Sequence, residues 1–332
     1  MIKREYPSRI LITGGHEVGG VSSFAETLRE GFASLGISAE IVSPSRIFAR
    51  WRDLRDPRVL KILSTTAVFA APFARRTICV AHGFPRPDVQ GWTKAFGVTA
   101  SFKIAGWFTQ LVAVSYYSAI HLRTIFNLRV DSVIHNPLND AFLAERGSGR
   151  QERDCITFAG RLHPAKGLER ILPAMLAVLE EHPELRVAIV GDGMVRPLVE
   201  AAARGNSRIE LVGQVSPSEV RTWLRRTRVF VSGCETEALG ITYLEALSQG
   251  CNVVMPACGG GVEIAPESIG STIHLYSGEG SEPVARALRR ALAAAPAEIS
   301  LAAYSSRSIA HAYLEVDCCS NAPAVELAEA IL

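Results

Sequence analysis

The stretch Ser232-Gly-Cys-Glu-Thr-Glu-Ala-Leu-Gly-Ile-Thr-Tyr-Leu-Glu-Ala-Leu-Ser-Gln-Gly250 sets two glutamates, Glu237 and Glu245, eight positions apart. The apolar run Arg228-Val-Phe-Val-Ser232 precedes it and Asn252-Val-Val-Met255 follows, so the order reads strand, loop, helix, strand. Glu237 then stands in the loop at a helix mouth, and Glu245 on the helix itself. The free backbone N–H groups around Leu239, Gly240 and Ile241 make that mouth an anion site. A carboxylate beside an anion site fits an anion that carries a neutral, hydroxyl-rich attachment. A sugar on a diphosphate is such a molecule.

Working outward, apolar runs of strand length alternate with helical patterns. The first half reads as strands at 8–13, 39–43, 77–81, 110–114 and 132–134. The second half reads as strands at 154–158, 186–190, 208–212, 229–231, 252–254 and 271–274. Val/Ile runs without polar alternation are typical of parallel strands covered on both faces. The expectation is α/β, in two doubly wound layers. A length of 332 residues agrees, since domains run to roughly 100–200 residues each. Residues 139–153 are polar and bear Gly and Ser, which fits a linker.

Five more segments fall in a telling order. They are Gly14-Gly15 through Gly19-Gly20 after the first strand, His82-Gly83, Val114-Ser115, Ile134-His-Asn-Pro137, and Gly160-Arg-Leu-His-Pro-Ala-Lys-Gly167. Together with the paired glutamates they make the chain resemble the retaining glycosyltransferases of family 4, which have the GT-B architecture. The resemblance spans most of the chain. It implies two Rossmann-like parallel-sheet domains facing a central cleft: an acceptor-side domain over 1–145 and a nucleotide-sugar-binding domain over 146–310. A C-terminal segment, 311–332, would pack back on the first domain.

Arg161 and Lys166 lie in the loop after the strand ending at Phe158, with Gly160 and Gly167 allowing close backbone approach. Two cations beside a leaving pyrophosphate stabilise charge that develops in the transition state, as a divalent metal does elsewhere. Positive side chains at a helix N-terminus are mildly disfavoured by the macrodipole, so their placement points to a bound anion. The ordinary alternative is a surface Arg and Lys near a helix start. Glu245 falls about 7–8 Å along the helix from Glu237, at ~1.5 Å per residue, which suits a ribose beyond the phosphates. An unpaired carboxylate among Tyr243, Leu244, Ala246 and Leu247 is costly to bury.

The resemblance gives further roles. Glu237 would accept hydrogen bonds from donor-sugar hydroxyls, and His82 would touch the donor sugar. The Gly14–Gly20 loop, with Gly19, Gly20 and the weaker candidate His16, would lie over the diphosphate on the acceptor side. Gly213, Gln214 and Val215 fall where the nucleobase stacks, and Gly259-Gly260-Gly261 with Glu263 near the ribose or the sugar. Glu235 is a neighbouring carboxylate of unassigned role, and Asn136-Pro137 reads as structural. His16 stands where the second glycine of a Gly-x-Gly-x-x-Gly motif belongs, and Val42-Ser43-Pro44 offers no acidic ribose ligand, so a dinucleotide reading fails.

Composition narrows the rest. Seven cysteines, at 79, 155, 234, 251, 258, 318 and 319, show no Cys-x-x-Cys pairing, which suits free thiols in a reducing cytoplasm. No uncharged apolar run reaches the roughly 18–20 residues of a membrane span. Residues 1–150 carry 19 Lys and Arg against 11 Asp and Glu, while 151–332 carry 16 against 22. Eight of those basic residues fall between 46 and 76, either as a solvated helix face or as attraction to an anionic surface or acceptor. Nucleic acid is disfavoured by the scarcity of interleaved stacking aromatics. The segment Trp92–Thr109 mixes aromatics with two lysines; core helix is the default, and a helix dipping into a membrane surface the alternative.

The combined expectation is a retaining hexosyl-type transferase that moves one sugar from a nucleotide sugar to a glycan or lipid-linked acceptor. No metal or other cofactor is expected, because the chain has no Asp-x-Asp site. The expected setting is cytoplasmic, with peripheral contact at an anionic membrane. A sugar-nucleotide epimerase on the same fold and a non-catalytic nucleotide-sugar-binding module are the alternatives.

Overall fold

The computed structural model describes residues 6–14, 20–144, 153–295 and 299–319. The chain divides into two compact units, one of Met1–Asn139 with Ala302–Leu332 and one of Asp140–Leu301. The first contains β1 (Arg9–Thr13), β2 (Ala39–Val42), β3 (Val59–Ser64), β4 (Thr77–Ala81), β5 (Gln110–Ala113) and β6 (Ser132–Val133). They form one parallel sheet in the order β2-β1-β3-β4-β5-β6. The second contains β7 (Cys155–Ala159), β8 (Arg186–Val190), β9 (Ile209–Gly213), β10 (Thr227–Val231), β11 (Asn252–Pro256) and β12 (Ile273–Tyr276). Their parallel order is β12-β11-β10-β7-β8-β9.

Strand order places the site of the second unit before any side chain is considered. The chain runs outward from β7 to β9, then returns to lay β10 on the other side of β7. The direction of winding reverses between these two strands, and ligands of open α/β sheets bind outside the carboxyl ends at such a point. The helix Leu168–Glu181 buries Leu168, Ile171, Leu172, Met175, Val178 and Leu179 against this sheet, the spacing of a helix with one apolar face.

The first unit departs from the sequence reading at β3, which the strand assignment passes over. All six residues of Val59–Ser64 are buried, Lys61 included. The Lys61 stem lies within the unit and its Nζ donates to the carbonyls of Asp56, Val59 and Arg75, so a charged residue occupies a central strand. Burial pulls its ammonium down to about 8. The basic run at 46–76 is therefore no continuous surface. Arg50 pairs with Glu40 and Asp53, Arg58 with Asp56, and Arg76 with the buried Asp317.

The default of a core helix for Trp92–Thr109 holds on one side only. In the helix Trp92–Ala105, Ala95, Ser101, Phe102 and Ala105 are buried, but Trp92 is 80 % and Phe96 76 % exposed. The strand read at 271–274 begins two residues later, because Thr272 N donates to Ser268 O and closes a turn there. Val114-Ser115 has a structural role: Ser115 Oγ accepts from Ser118 N and caps the helix Tyr116–Thr124. Part of the expected linker, Asp140–Ala144, is helical in the second unit; Gln249 Nε2 donates to Phe142 O and Arg221 to Ala141 O. Residues 145–152 and the end of the expected C-terminal segment, 320–332, lie outside the described residues. The helix Ser306–Cys319 packs on Gly20–Ser34, so closely that a methyl on Gly31 would sit 2.1 Å from Ser306 O.

Candidate functional site

The loop leaving β7 is folded tightly before it presents any charge. His163 Nδ1 accepts from Ala165 N at 3.1 Å and starts a single turn over Pro164–Lys166. Gly167, at φ +67°, then opens the helix Leu168–Glu181. A side chain at 167 would meet Gly233 O at 2.4 Å, so this glycine lets the loops after β7 and β10 touch. Their contact brings Lys166 to Glu237: Nζ lies 2.5 Å from Oε2. Burial works to lower the Lys166 ammonium, but the Glu237 charge and hydrogen bond outweigh it and hold it above its ordinary value. The exposed Arg161 is near enough to oppose that rise.

Glu237 sits at the mouth of the helix Ile241–Ser248. Gly240 begins that helix at φ +88°, no side chain caps it, and its first turn holds no acidic residue. The first-turn amides therefore retain the partial positive charge of an uncapped N-terminus. Leu239 is buried in the core, so its backbone alone can take part. One further turn along, Glu245 is part-exposed at its surface and otherwise enclosed by protein. Burial alone pushes its carboxyl up to about 7. From the other side, the Gly259–Gly261 turn closes on the same loop, with Gly260 N donating to Glu237 O at 2.8 Å. Gly160, Gly191 and Gly213 step across the carboxyl ends of β7, β8 and β9, and Gly191 N donates to Gly213 O. Gln214 and Val215 follow on this ledge, Gln214 exposed.

The sequence reading missed what holds the Glu237 loop. Arg170 donates to Glu235 Oε1 at 2.7 Å, to Gly233 O at 3.3 Å and to Tyr276 Oη at 3.2 Å, and lies over the Tyr276 ring. Tyr276 Oη donates to Ser232 O, and Tyr243 Oη to Ser232 Oγ. Lys166 and Arg170, four residues apart on either side of Gly167, thus pair with Glu237 and Glu235, two residues apart. That matching of an i, i+4 basic pair to an i, i+2 acidic pair was the available signal. Glu235 has a partner, which gives it a place the sequence reading left open.

In the first unit His82 follows β4, its ring edge-on to Phe24 at 4.6 Å. Burial lowers its imidazole to about 4, against a smaller raising contribution from Asn136. His82 Nε2, Asn136 Oδ1 and Tyr313 Oη are buried without hydrogen-bond partners. Asn136, read from sequence as structural, is therefore a neighbour of a candidate site residue. Gly20 opens the helix Gly20–Ser34; His16 and Gly19 lie outside the described residues. Among the described residues no helix is long and apolar enough to cross a membrane, and no three His, Cys, Asp or Glu gather as metal ligands.

Comparison with known proteins follows the same division. Residues 153–294, less than half of the chain, match the family described as glycosyl transferases group 1. The chain is 31% identical over 159 residues to sulfoquinovosyl transferase SQD2 of Arabidopsis thaliana, covering 47% of this chain and 30% of that protein. It is 27% identical over 198 residues to the lipopolysaccharide core biosynthesis mannosyltransferase LpcC of Rhizobium leguminosarum, covering 57% and 54%. The chain spans about a third of the length of the first curated relatives it matches. In fold it is similar to Anabaena HepE in complex with UDP and glucose, with TM-score 0.68 at 15% identity over 93% of this chain and 94% of that one. AviGT4, a glycosyltransferase involved in avilamycin A biosynthesis, gives TM-score 0.67 at 18% identity over 96% and 99%. The fold is that of the GT-B glycosyltransferases. Match and fold together support a place among the group 1 glycosyltransferases.

Proposed function

We propose that the protein is a retaining glycosyltransferase of the hexosyl-transferring kind. It takes one sugar from a nucleoside diphosphate donor and passes it to a glycan or lipid-linked acceptor, in the making of a cell-surface polysaccharide or glycolipid. The second unit binds the donor and the first serves the acceptor side, on the cytoplasmic face of a membrane. The observation that carries this reading is the Lys166–Glu237 pair, set with Arg161 at the winding reversal beside an uncapped helix mouth. The names of the relatives lend support: HepE was crystallised with UDP and glucose, and curated relatives are named as phosphatidylinositol glycosyltransferases or for lipopolysaccharide core biosynthesis.

In this reading the sugar's bond to the terminal phosphate breaks while the acceptor hydroxyl bonds to the same carbon from the same face. The hydroxyl proton goes to a leaving phosphate oxygen, and no protein nucleophile takes part. The protein supplies position and charge. Arg161, Lys166 and the amides of Gly240 and Ile241 meet the charge that grows on the departing diphosphate. A diphosphate drawing on Lys166 loosens its bond to Glu237 and leaves that carboxylate to accept from sugar hydroxyls. Glu245 receives the ribose, whose hydroxyls donate to the charged form and so offset its burial. Gln214 and Val215 border the base. Metal independence belongs to the same proposal, because two cations already stand at the leaving group.

A thermal-shift screen across uridine, guanosine and adenosine diphosphate sugars tests the donor, since binding raises apparent stability by mass action. Incubating the stabilising donor with and without acceptor glycans and lipids then tests transfer: free nucleoside diphosphate and a glycosylated acceptor are expected. An altered sugar still attached to its nucleotide would instead make the protein an epimerase. Turnover is expected to survive excess EDTA, and a complete loss that added metal restores would remove the cation pair from its role.

A further inference from the structure

We propose that the outward face of the helix Trp92–Ala105, with the turn after it, docks on an anionic lipid bilayer. At 100° per residue, Trp92, Phe96 and Lys103 fall within about 40° of arc on one side of the helix, and Trp107 stands in the turn after it. Trp107 is 74 % exposed, like Trp92 and Phe96 far more open than a large aromatic ring ordinarily is. Ile104 and Phe108 flank them, also exposed. The opposite side of the helix is already in use. Phe102 and Ala105 belong to the core of the first unit, and the helix lies along the turn Thr65–Phe73. One face is thus anchored in protein, and the other, equally apolar, meets water. A helix apolar all round is ordinarily buried in protein or in lipid.

A second group of exposed aromatic rings belongs to the same unit. On the other side of Thr65–Phe73, the rings of Phe48 and Trp51 lie 6.2 Å and 6.1 Å from that of Phe73, and all three are about half exposed. Arg55 stands over the Trp51 ring.

Charge selects the occupant. Residues 89–109 contain Lys94 and Lys103, both exposed, and no Asp or Glu. Exposed tryptophan and phenylalanine with Lys103 among them, and Lys94 exposed on another side of the first turn, suit a helix that lies in a bilayer interface. The rings enter the acyl boundary while the indole N–H and the ammonium stay at the headgroups. Anionic headgroups then add attraction to the lysines. The proposal stands apart from the donor site, since no residue of this face belongs to it.

The test is co-sedimentation of the full chain with vesicles of phosphatidylcholine alone and of phosphatidylcholine with phosphatidylglycerol. Binding is expected to the second kind, weakened by added salt, with a blue shift of tryptophan emission. The double variant Trp92→Ser with Phe96→Ser should lower partitioning at least about tenfold with its thermal unfolding unchanged, because both rings are solvent-exposed. Lys94→Glu with Lys103→Glu should abolish the preference for phosphatidylglycerol. The proposal is overturned if wild type stays in the supernatant with both vesicles, or if the serine variant binds as well as wild type. It is also overturned if wild type elutes as a dimer that the serine variant dissolves, which would give this face to a second copy. A chain that docks yet binds no nucleotide would leave this inference standing and end the proposed transfer.

Discussion

The carboxyl ends of the two sheets are built on opposite plans. In the second unit two pairs of charges near the winding reversal are matched, Lys166 to Glu237 and Arg170 to Glu235, with Tyr276 and Tyr243 fastened to Ser232 beneath them. In the first unit the corresponding level holds His82 Nε2, Asn136 Oδ1 and Tyr313 Oη, buried and without partners. A matched ion pair is preorganised and costs little to keep, whereas an unpartnered buried polar atom costs about 1–3 kcal/mol. The second unit thus holds these pairs in place by itself, and the first holds polar atoms at a disadvantage that a hydrogen-bonding group would relieve. The difference fits the proposed division of labour, with charge from the second unit and neutral hydrogen bonds from the first.

The sharpest way to break this contrast is to compare Lys166→Ala and Glu237→Ala with His82→Ala. Either change in the second unit should lower transfer by about a hundredfold or more, near 3 kcal/mol, because each leaves its former partner uncompensated beside a growing charge. His82→Ala removes a single neutral hydrogen bond and should cost less. Steady-state transfer with the identified donor decides it; if the histidine variant were the worse enzyme, the assignment of charge to the second unit would be reversed.

Glu245 gives the next effect, and its sign can be worked out. Burial raises its carboxyl from 4.5 to about 7 in the folded chain. Between these values the unfolded chain loses the proton and the folded chain keeps it, so this residue's stabilising contribution disappears as pH rises through that window. Glu245→Gln should therefore gain on wild type between pH 4.5 and 7, by about 2 kcal/mol after a discount for the part of the carboxyl that water reaches. Denaturant unfolding of both proteins across this range measures it. A constant difference would mean that Glu245 is as well solvated as a surface glutamate.

Arg170 ranks third. It touches Glu235, Gly233 and Tyr276, and so acts on Glu237 only through the loop. Arg170→Met should lower kcat/KM about tenfold, mostly in kcat, with Arg170→Lys recovering part of the loss. An equal fall in every substrate's rate, tracking a fall in Tm, would make the residue a stabiliser of the fold and no more.

How much of this was legible depends on what the sequence must encode locally. The second unit was read nearly whole: its strands are short, mainly apolar runs between helical patterns, and most of its site groups sit in the loops after strand ends. Ser216 with Glu219 even spells out the capping box that starts the helix Pro217–Arg226. The β3 strand was passed over because Lys61 interrupts its apolar run, and only tertiary structure supplies the three carbonyls that hold that ammonium. The segment Trp92–Thr109 stayed between core helix and surface helix for a related reason, since hydrophobicity alone cannot say which of two apolar faces the protein will cover. Arg170 escaped notice because its partners lie far off at 233, 235 and 276, and the matched spacing of Lys166 and Arg170 to Glu237 and Glu235 was its only trace in the sequence.

The smallest expected effect bears hardest on the comparison, because it is an absence of titration. With its imidazole lowered to about 4 by burial, His82 is neutral from pH 6 to 8 and can serve there only as a hydrogen-bonding group. Substitution by Gln, which keeps a neutral donor and acceptor at similar reach, should lower transfer a little without changing the shape of its pH dependence. Any limb near pH 7 would come from Glu245 and would vanish in Glu245→Gln. If His82→Gln instead removed that limb, the imidazole would titrate during turnover. The first unit would then supply a proton-transferring group, and the separation of charge from neutral hydrogen bonding between the two sheets would not describe this protein.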